Sequence, residues 1–305
     1  MSHYDISQKD RPIVLGEVLF DRFPTGEAVL GGAPFNVAWH LQGFGCRPLF
    51  ISRVGEDPEG EEARSAMAGW GMDCSALQRG PDYPTGEVRI TLERGQPNFH
   101  ILPDQAYDHL DIGAAKSVLD TMGEGGLFYH GTLILRRLHG ILEALLADAT
   151  RPVFVDVNLR DPWWDAADLP PILERARWVK VNDEELSIIA DRLGQGGGDW
   201  TESARRIRAS HALELLIVTR GEWGATAFHG SGETVDIAPQ ETKDAITDTV
   251  GAGDAFSAVV IVGLLRGWSL STMMRAAQAF ASRVCRLRGA ISRDGDFYDS
   301  GRVFS

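Results

Sequence analysis

Along the chain, short runs rich in β-branched and apolar residues alternate with longer stretches whose apolar residues recur every three or four positions. The first run, Pro12 to Phe20, predicts a strand. Pro34 to Phe44 predicts a helix, with Pro in its first turn and Gly45 just beyond its end. Pro48 to Val54 predicts a second strand, and Glu59 to Trp70 a helix stopped by Gly71. Further strands are expected at Leu127–His130, Val153–Val157, Trp178–Val181 and Leu215–Thr219, mostly separated by helical stretches. Strands that alternate with helices need crossover connections. The expected class is therefore α/β, with a mainly parallel central sheet covered by helices on both faces. Neither an internal repeat nor a low-complexity segment interrupts this rhythm, and Gly194–Gly198 reads as a surface loop.

One segment departs from it. From Glu87 to Glu93 apolar and polar residues strictly alternate; Arg94-Gly95-Gln96-Pro97 looks like a turn, and Phe99 and Ile101 resume the alternation. This predicts a hairpin with one apolar face. A lone hairpin is unstable in water, so that face must lie against something. It could pack on its own domain, or form a lid over a site with outer contacts to a second subunit.

Composition narrows the setting. A hydrophobic fraction of 44% in 305 residues supports a sizeable core. The most apolar run, Ala255 to Leu265, is too short to cross a bilayer and predicts a buried helix. The opening Met-Ser-His-Tyr-Asp lacks the basic and apolar regions of a secretory signal. Cys46, Cys74 and Cys285 have no metal-type spacing and suit a reducing compartment, so the cytoplasm is expected, with no membrane partner. A net charge of −13 argues against a nucleic-acid partner. It leaves room for a nucleotide, whose phosphates can be held by backbone N–H groups at a helix terminus.

Two common nucleotide motifs are missing. No Gly-x-x-x-x-Gly-Lys-Ser/Thr occurs, and Gly251-Ala-Gly253 fails as a dinucleotide fingerprint because Phe256 replaces the third glycine. Asp248-Thr-Val-Gly251-Ala252-Gly253-Asp254 instead precedes the run Ala255 to Leu265. Small residues at the start of a buried helix expose successive N–H groups, and the helix dipole adds about half a positive charge there. Such a pocket suits a phosphoryl group in transit, with Asp254 placed to accept the proton of an attacking hydroxyl. An aspartate is also at home in any first helical turn.

A second Gly-rich run, Gly31-Gly32-Ala33-Pro34-Phe35-Asn36-Val37-Ala38, opens a helix early in the chain. With the Gly-Ala-Gly-Asp run far downstream, it resembles the two signatures of the PfkB (ribokinase-like) carbohydrate kinase family. The resemblance extends from about Ile13 to Ile291. It takes in Asp156-Val-Asn158-Leu-Arg160, Val181-Asn182-Asp-Glu-Glu185 and Thr219-Arg-Gly221-Glu-Trp-Gly224. It implies a ribokinase-like three-layer fold with residues 1–305 as one kinase domain, and a small β lid from segments near 20–32 and 85–103.

The same resemblance implies a site, residue by residue. Asp21, ending the first strand, would hold sugar hydroxyls together with Gly31, Gly32 and Asn36, and Arg160 would meet a sugar hydroxyl or an anionic group. Gly251, Ala252 and Gly253 would stabilise the phosphoryl group and Asp254 would act as base. Asn182 and Glu185 would orient the ATP phosphates and the water shell of Mg²⁺, although the pair also reads as a helix N-cap and its N3 partner. Thr219, Gly221 and Gly224 would line the nucleotide, or simply make a tight turn between strands. Asp248 and Gly289–Ser292 lie where some family members bind a monovalent cation such as K⁺.

Within the family, the Gly-Gly-Ala-Pro-x-Asn-Val-Ala run and the Asp-x-Asn-x-Arg element before Trp163-Trp164 look most like the fructokinase branch. The lid strand Asn98 to Leu102 lacks the arginine expected of a 2-keto-3-deoxygluconate kinase. Fructose is the expected acceptor, ahead of 2-keto-3-deoxygluconate, ribose or a nucleoside, and of a non-catalytic sugar-binding role. Phe35 and Trp39 depart from the smaller residues common on this helix and are expected to reshape the sugar pocket.

Overall fold

The structure, a computed structural model, describes residues 11–93, 96–122, 125–138, 140–147, 151–239, 247–299 and 301. The first half runs β1 (Ile13–Leu15), β2 (Leu19–Arg22), β3 (Ala28–Gly31), α1 (Ala33–Gly43), β4 (Leu49–Gly55), α2 (Pro58–Gly69), β5 (Leu77–Gly80), β6 (Gly86–Glu93), β7 (Gln96–Ile101) and α3 (Ile112–Asp120). Next come β8 (Phe128–His130), α4 (Ile141–Leu146), β9 (Val153–Asp156), α5 (Leu169–Arg175), β10 (Trp178–Asn182), α6 (Asp183–Arg192) and α7 (Trp200–Ser210). The chain then continues through β11 (Leu215–Thr219), β12 (Ala225–His229), β13 (Thr234–Ile237), α8 (Ala252–Leu265) and α9 (Leu270–Val284).

Nine strands form the main sheet in the order β13-β12-β11-β10-β9-β8-β1-β4-β5. All neighbours pair in parallel from β11 to β5, and β12 and β13 add an antiparallel edge. Successive side chains of a strand point to opposite faces, so each strand feeds two cores. Val14, Tyr129, Phe154 and Ile217 pack with α1, α2, α8 and α9. Ile13, Leu15, Val155 and Val218 pack with α3 to α7 on the other face. This is the three-layer arrangement that the resemblance implies.

The apolar run Pro12 to Phe20 is two strands, not one. It breaks at Gly16, where a Cβ would come within 2.1 Å of the Pro34 ring, and β2 continues into a different sheet. That second sheet has four strands in the order β3-β2-β6-β7. β6 and β7 form the hairpin, with Leu92 opposite Pro97 and Glu93 opposite Gln96. Gln96 and Pro97 therefore belong to the strand and not to the turn, while Arg94 and Gly95 lie outside the described residues. Val88 and Ile90 are buried and Arg89 and Thr91 exposed, so the alternation marks an apolar face. Arg22 ties this sheet to α2 by bonding Glu59 and Glu87, each at 2.9 Å.

Candidate active site

The crossovers that follow β1 and β8 leave for opposite faces of the sheet. Ligands of open α/β sheets gather at the strand carboxyl ends beside such a switch point. A cavity of about 740 Å³ opens there, at the ends of β9, β10 and β11 and beneath the small sheet. Its size is that of a small-molecule site. Asp21, Gly32, Asn36 and Arg160 line one part, and Asn182, Glu185, Thr219 and Gly221 another. Gly251, Gly253 and Asp254 stand between them.

Gly251 is the N-cap of α8 and has a φ of 79°. A Cβ there would lie 2.3 Å from the Ala290 Cβ, so only glycine fits both the turn and the close approach. The helix it starts is buried from Ala255 to Gly263, which aims its N-terminus into the cavity. Ala252 N–H donates to the Thr249 carbonyl at 3.2 Å. The N–H groups of Gly253 and Asp254 belong to the first turn, which has no intrahelical acceptors for them. Asp254 lies at N3, and its Oδ2 accepts a 2.8 Å hydrogen bond from Asn36 Nδ2. Burial pushes the Asp254 carboxyl up to about 6, against the lowering effect of that bond. Asp156 pushes it the same way as burial, while Lys180 and Arg160 oppose. Its protonation range thus lies just below neutrality, where a general base is ionised yet still basic.

On the sugar side Asp21 sits in β2, in the small sheet. Burial pushes its carboxyl up to about 6, with Arg160 opposing. Gly32 caps α1 with a φ of 111°, and a Cβ on it would meet the Glu17 carbonyl oxygen at 2.8 Å. Gly31 does not line the cavity, but it lies beside Asp21 and Asn36, whose oxygens would be 3.6 and 3.9 Å from a Cβ. Phe35 and Trp39 do not line the cavity. Both are buried in the core, where Phe35 packs on Phe50 and Trp39 stacks on Trp70 at 5.2 Å.

On the other side Asn182 and Glu185 form a reciprocal capping box at the start of α6, each bond 2.8 Å long. Glu185 also accepts from Leu159 N–H at 2.8 Å, which ties the loop carrying Arg160 to this helix. The carboxylate nevertheless faces the cavity, so capping and ligand contact are compatible. Gly224 lies outside the cavity lining. Its φ is 82° and a Cβ would meet the Ile237 carbonyl oxygen at 2.0 Å, which makes it a turn glycine between β11 and β12. Ala252 and Asp248 also stand back from the cavity. Asp248 accepts from Val250 N–H at 3.0 Å and Gly289 N–H at 3.3 Å, holding the loop before α8.

Lys180, Asp156 and Glu17 are among the charged residues of the cavity that were given no role from sequence. Lys180 and Asp156 form a buried pair at 2.6 Å, and Ser257 Oγ donates to the same carboxylate at 2.7 Å. Lys180 Nζ would lie 3.6 Å from a Cβ on Gly253, so its charge stands next to the helix terminus. Glu17 lies just after β1. The available signal was a charged residue inside an apolar strand pattern, as in Trp178-Val-Lys180-Val, which burial allows only where a partner or ligand waits.

A carboxylate beside the open terminus of a buried helix, on the floor of a two-ended cleft, is the equipment of a phosphoryl-transfer enzyme. The chain belongs to the pfkB family of carbohydrate kinases, whose family description matches residues 4–294. It is a carbohydrate kinase, an enzyme that phosphorylates a sugar hydroxyl. The fructokinase of Klebsiella pneumoniae is 31% identical over 268 residues, spanning 82% of this chain and 83% of that relative. Among solved structures, fructokinase from Xylella fastidiosa with bound ATP superposes with a TM-score of 0.80 at 20% identity, covering 93% of this chain and 94% of that one. A double mutant of fructokinase from Vibrio cholerae O395, bound to fructose, ADP and potassium ion, gives 0.76 at 22% identity, covering 93% and 94%. At those identities the structures support the fold.

Proposed function

We propose that this kinase phosphorylates fructose on a primary hydroxyl. The observation that carries the reading is Asp254, held by Asn36 of the Gly-rich helix at the open end of α8, with Asp21 and Arg160 in the same cavity. The similarity to fructokinases selects the sugar. Asp21 and Asn36 bind sugar hydroxyls, a carboxylate being able to accept from two vicinal hydroxyls at once. The small sheet is the lid, its Val88, Phe99 and Ile101 closing over the sugar and excluding water that would otherwise hydrolyse ATP. Asp254 takes the proton of the attacking hydroxyl, whose oxygen forms the new bond to the γ-phosphorus in line as the bond to ADP breaks. The Gly253 and Asp254 N–H groups hold the charge on the transferring phosphoryl oxygens.

Thr219 and Gly221 line the nucleotide end, and Asn182 with Glu185 faces the phosphates. Among the described residues no group of three or more His, Cys, Asp or Glu could hold a metal. Mg²⁺ carried by the nucleotide would keep its waters and meet Glu185 through one of them. Bound there, Mg²⁺ would neutralise phosphate charge. A K⁺ ion beside Asp248 and 289–292 would firm the loop that starts α8. The rim of the small sheet, where Phe23 is exposed, is the surface we assign to a homodimer contact. Among the described residues no helix is long and apolar enough to cross a membrane. The three free cysteines suit a reducing cytoplasm.

The test is ADP release across fructose, ribose, 2-keto-3-deoxygluconate, nucleosides and sugar phosphates, with Mg²⁺ and with or without K⁺. Preference for fructose supports the reading, and preference for another member of the panel overturns it.

A further inference from the structure

Glu17 leaves β1 at the switch point and turns into the cavity, where it is 3% exposed. Its Oε2 is buried and has no hydrogen-bond partner. The groups whose charge bears on it come from several elements: Asp254 from α8, Arg160 from the loop after β9, and Arg136 from the turn after β8. Glu17 in turn acts on the Tyr107 and Tyr129 phenols. Arg136 does not neutralise it by contact. Its Nε and one Nη are committed to Asp108 and to the Leu102 carbonyl, and its other Nη is buried without a partner.

A buried carboxyl with a free oxygen is costly and calls for a partner, and one that lines a ligand cavity can find it in the ligand. The ligand end is fixed by the backbone. The Glu17 carbonyl abuts Gly32 of the Gly-rich loop, whose neighbour Gly31 lies beside Asp21 and Asn36, so the side chain starts at the Gly-rich end of the cavity. We propose that Glu17 is a further specificity-determining residue of the sugar site, its carboxyl hydrogen-bonding one hydroxyl of the acceptor sugar beside those held by Asp21 and Asn36. The inference rests on the sugar-kinase reading of this cavity. Burial pushes the Glu17 carboxyl up to about 7, so near neutrality it can donate as the acid or accept as the carboxylate. A hydroxyl complements both forms but not equally, so sugar binding shifts the balance between them and exchanges protons with solvent near pH 7.

Turnover of fructose by the wild type is measured first, so that a wrong sugar is recognised before any variant is read; the panel sugar that is turned over then serves as acceptor. Glu17→Leu should raise the KM for that sugar about 10- to 100-fold, as expected for a lost buried hydrogen bond to an ionisable group. The KM for ATP should stay within about twofold. Among monodeoxy analogues of the sugar, one should bind wild type and Glu17→Leu equally, because the hydroxyl that Glu17 reads is already absent. Glu17→Gln, which keeps donor and acceptor, should recover most of the affinity and lose part of the proton exchange that calorimetry detects on sugar binding near pH 7. If Glu17→Leu does not fold, Glu17→Gln decides by that proton exchange. An unchanged sugar KM in Glu17→Leu, or unchanged proton exchange in Glu17→Gln, overturns the proposal.

Discussion

Asn36 Nδ2 donates to Asp254 Oδ2 at 2.8 Å and joins α1 to α8 across 218 positions of sequence. The bond orients the carboxylate and favours its ionised form, while burial works the other way and dominates. Asn36→Ala removes the lowering contribution and should move the Asp254 carboxyl above about 6. Because a protonated base cannot accept the hydroxyl proton, the acid limb of kcat/KM should shift to higher pH. Activity at pH 6 should then suffer more than activity at pH 8. A pH-rate profile with an unmoved acid limb would sink this account.

Asp254→Asn keeps the shape of the side chain and removes its basicity. Loss of a positioned general base should lower kcat about 10²- to 10⁴-fold, with sugar affinity by calorimetry nearly unchanged. Near-normal ADP release from the variant would remove Asp254 from the proton-transfer step.

Stability should carry the mark of the site. The folded-state carboxyls of Glu17, Asp21 and Asp254 are raised to about 7, 6 and 6. The native state therefore binds more protons than the unfolded chain between about pH 4 and 7, and these groups cost stability as pH rises through that window. Asp57, Glu87 and Glu214 are lowered and act oppositely, losing their contribution in acid. Glu17→Gln isolates one group. It should leave the melting temperature nearly unchanged at pH 4.5 and stabilise the free protein at pH 8 by on the order of 3 kcal/mol.

Gly251 and Gly224 are both left-handed, but they serve different ends. Alanine at either position meets a close neighbour, the Ala290 Cβ or the Ile237 carbonyl oxygen. Strain of this kind costs about 1–3 kcal/mol, so both variants should melt earlier. Gly251→Ala should in addition lower kcat, since it displaces the start of α8. Gly224→Ala should spare kcat in the folded fraction, measured after active-site titration.

Lys180→Met leaves the Asp156 carboxylate buried with only hydroxyl donors, from Ser257 at 2.7 Å and Tyr129 at 3.4 Å. Removing one member of a buried pair costs about 3–5 kcal/mol. Denaturant titration should show that loss, and the double variant Lys180→Met/Asp156→Leu should recover much of it. Equal stability of the single variant and wild type would mean that the hydroxyls alone satisfy Asp156.

The alternation of apolar runs with helical periods determined the layered α/β fold, because each period reports which faces of an element leave water. The same patterning marked the hairpin and the buried helix behind Gly251–Asp254. Turn glycines and caps were also legible, since left-handed backbone and unsatisfied N–H groups select few residue types. Tertiary structure decided the rest. Periodicity does not say where a strand ends inside an apolar run, so the break at Gly16, which packs against Pro34, stayed hidden in Pro12 to Phe20. Nor does it say which side of α1 meets the ligand, which is why Phe35 and Trp39 proved to be core. Glu17, Lys180 and Asp156 became site residues only when β1, β9, β10 and α8 converged on one cavity. A charge in an apolar run declares that it needs a partner, and only the packing of distant segments supplies one.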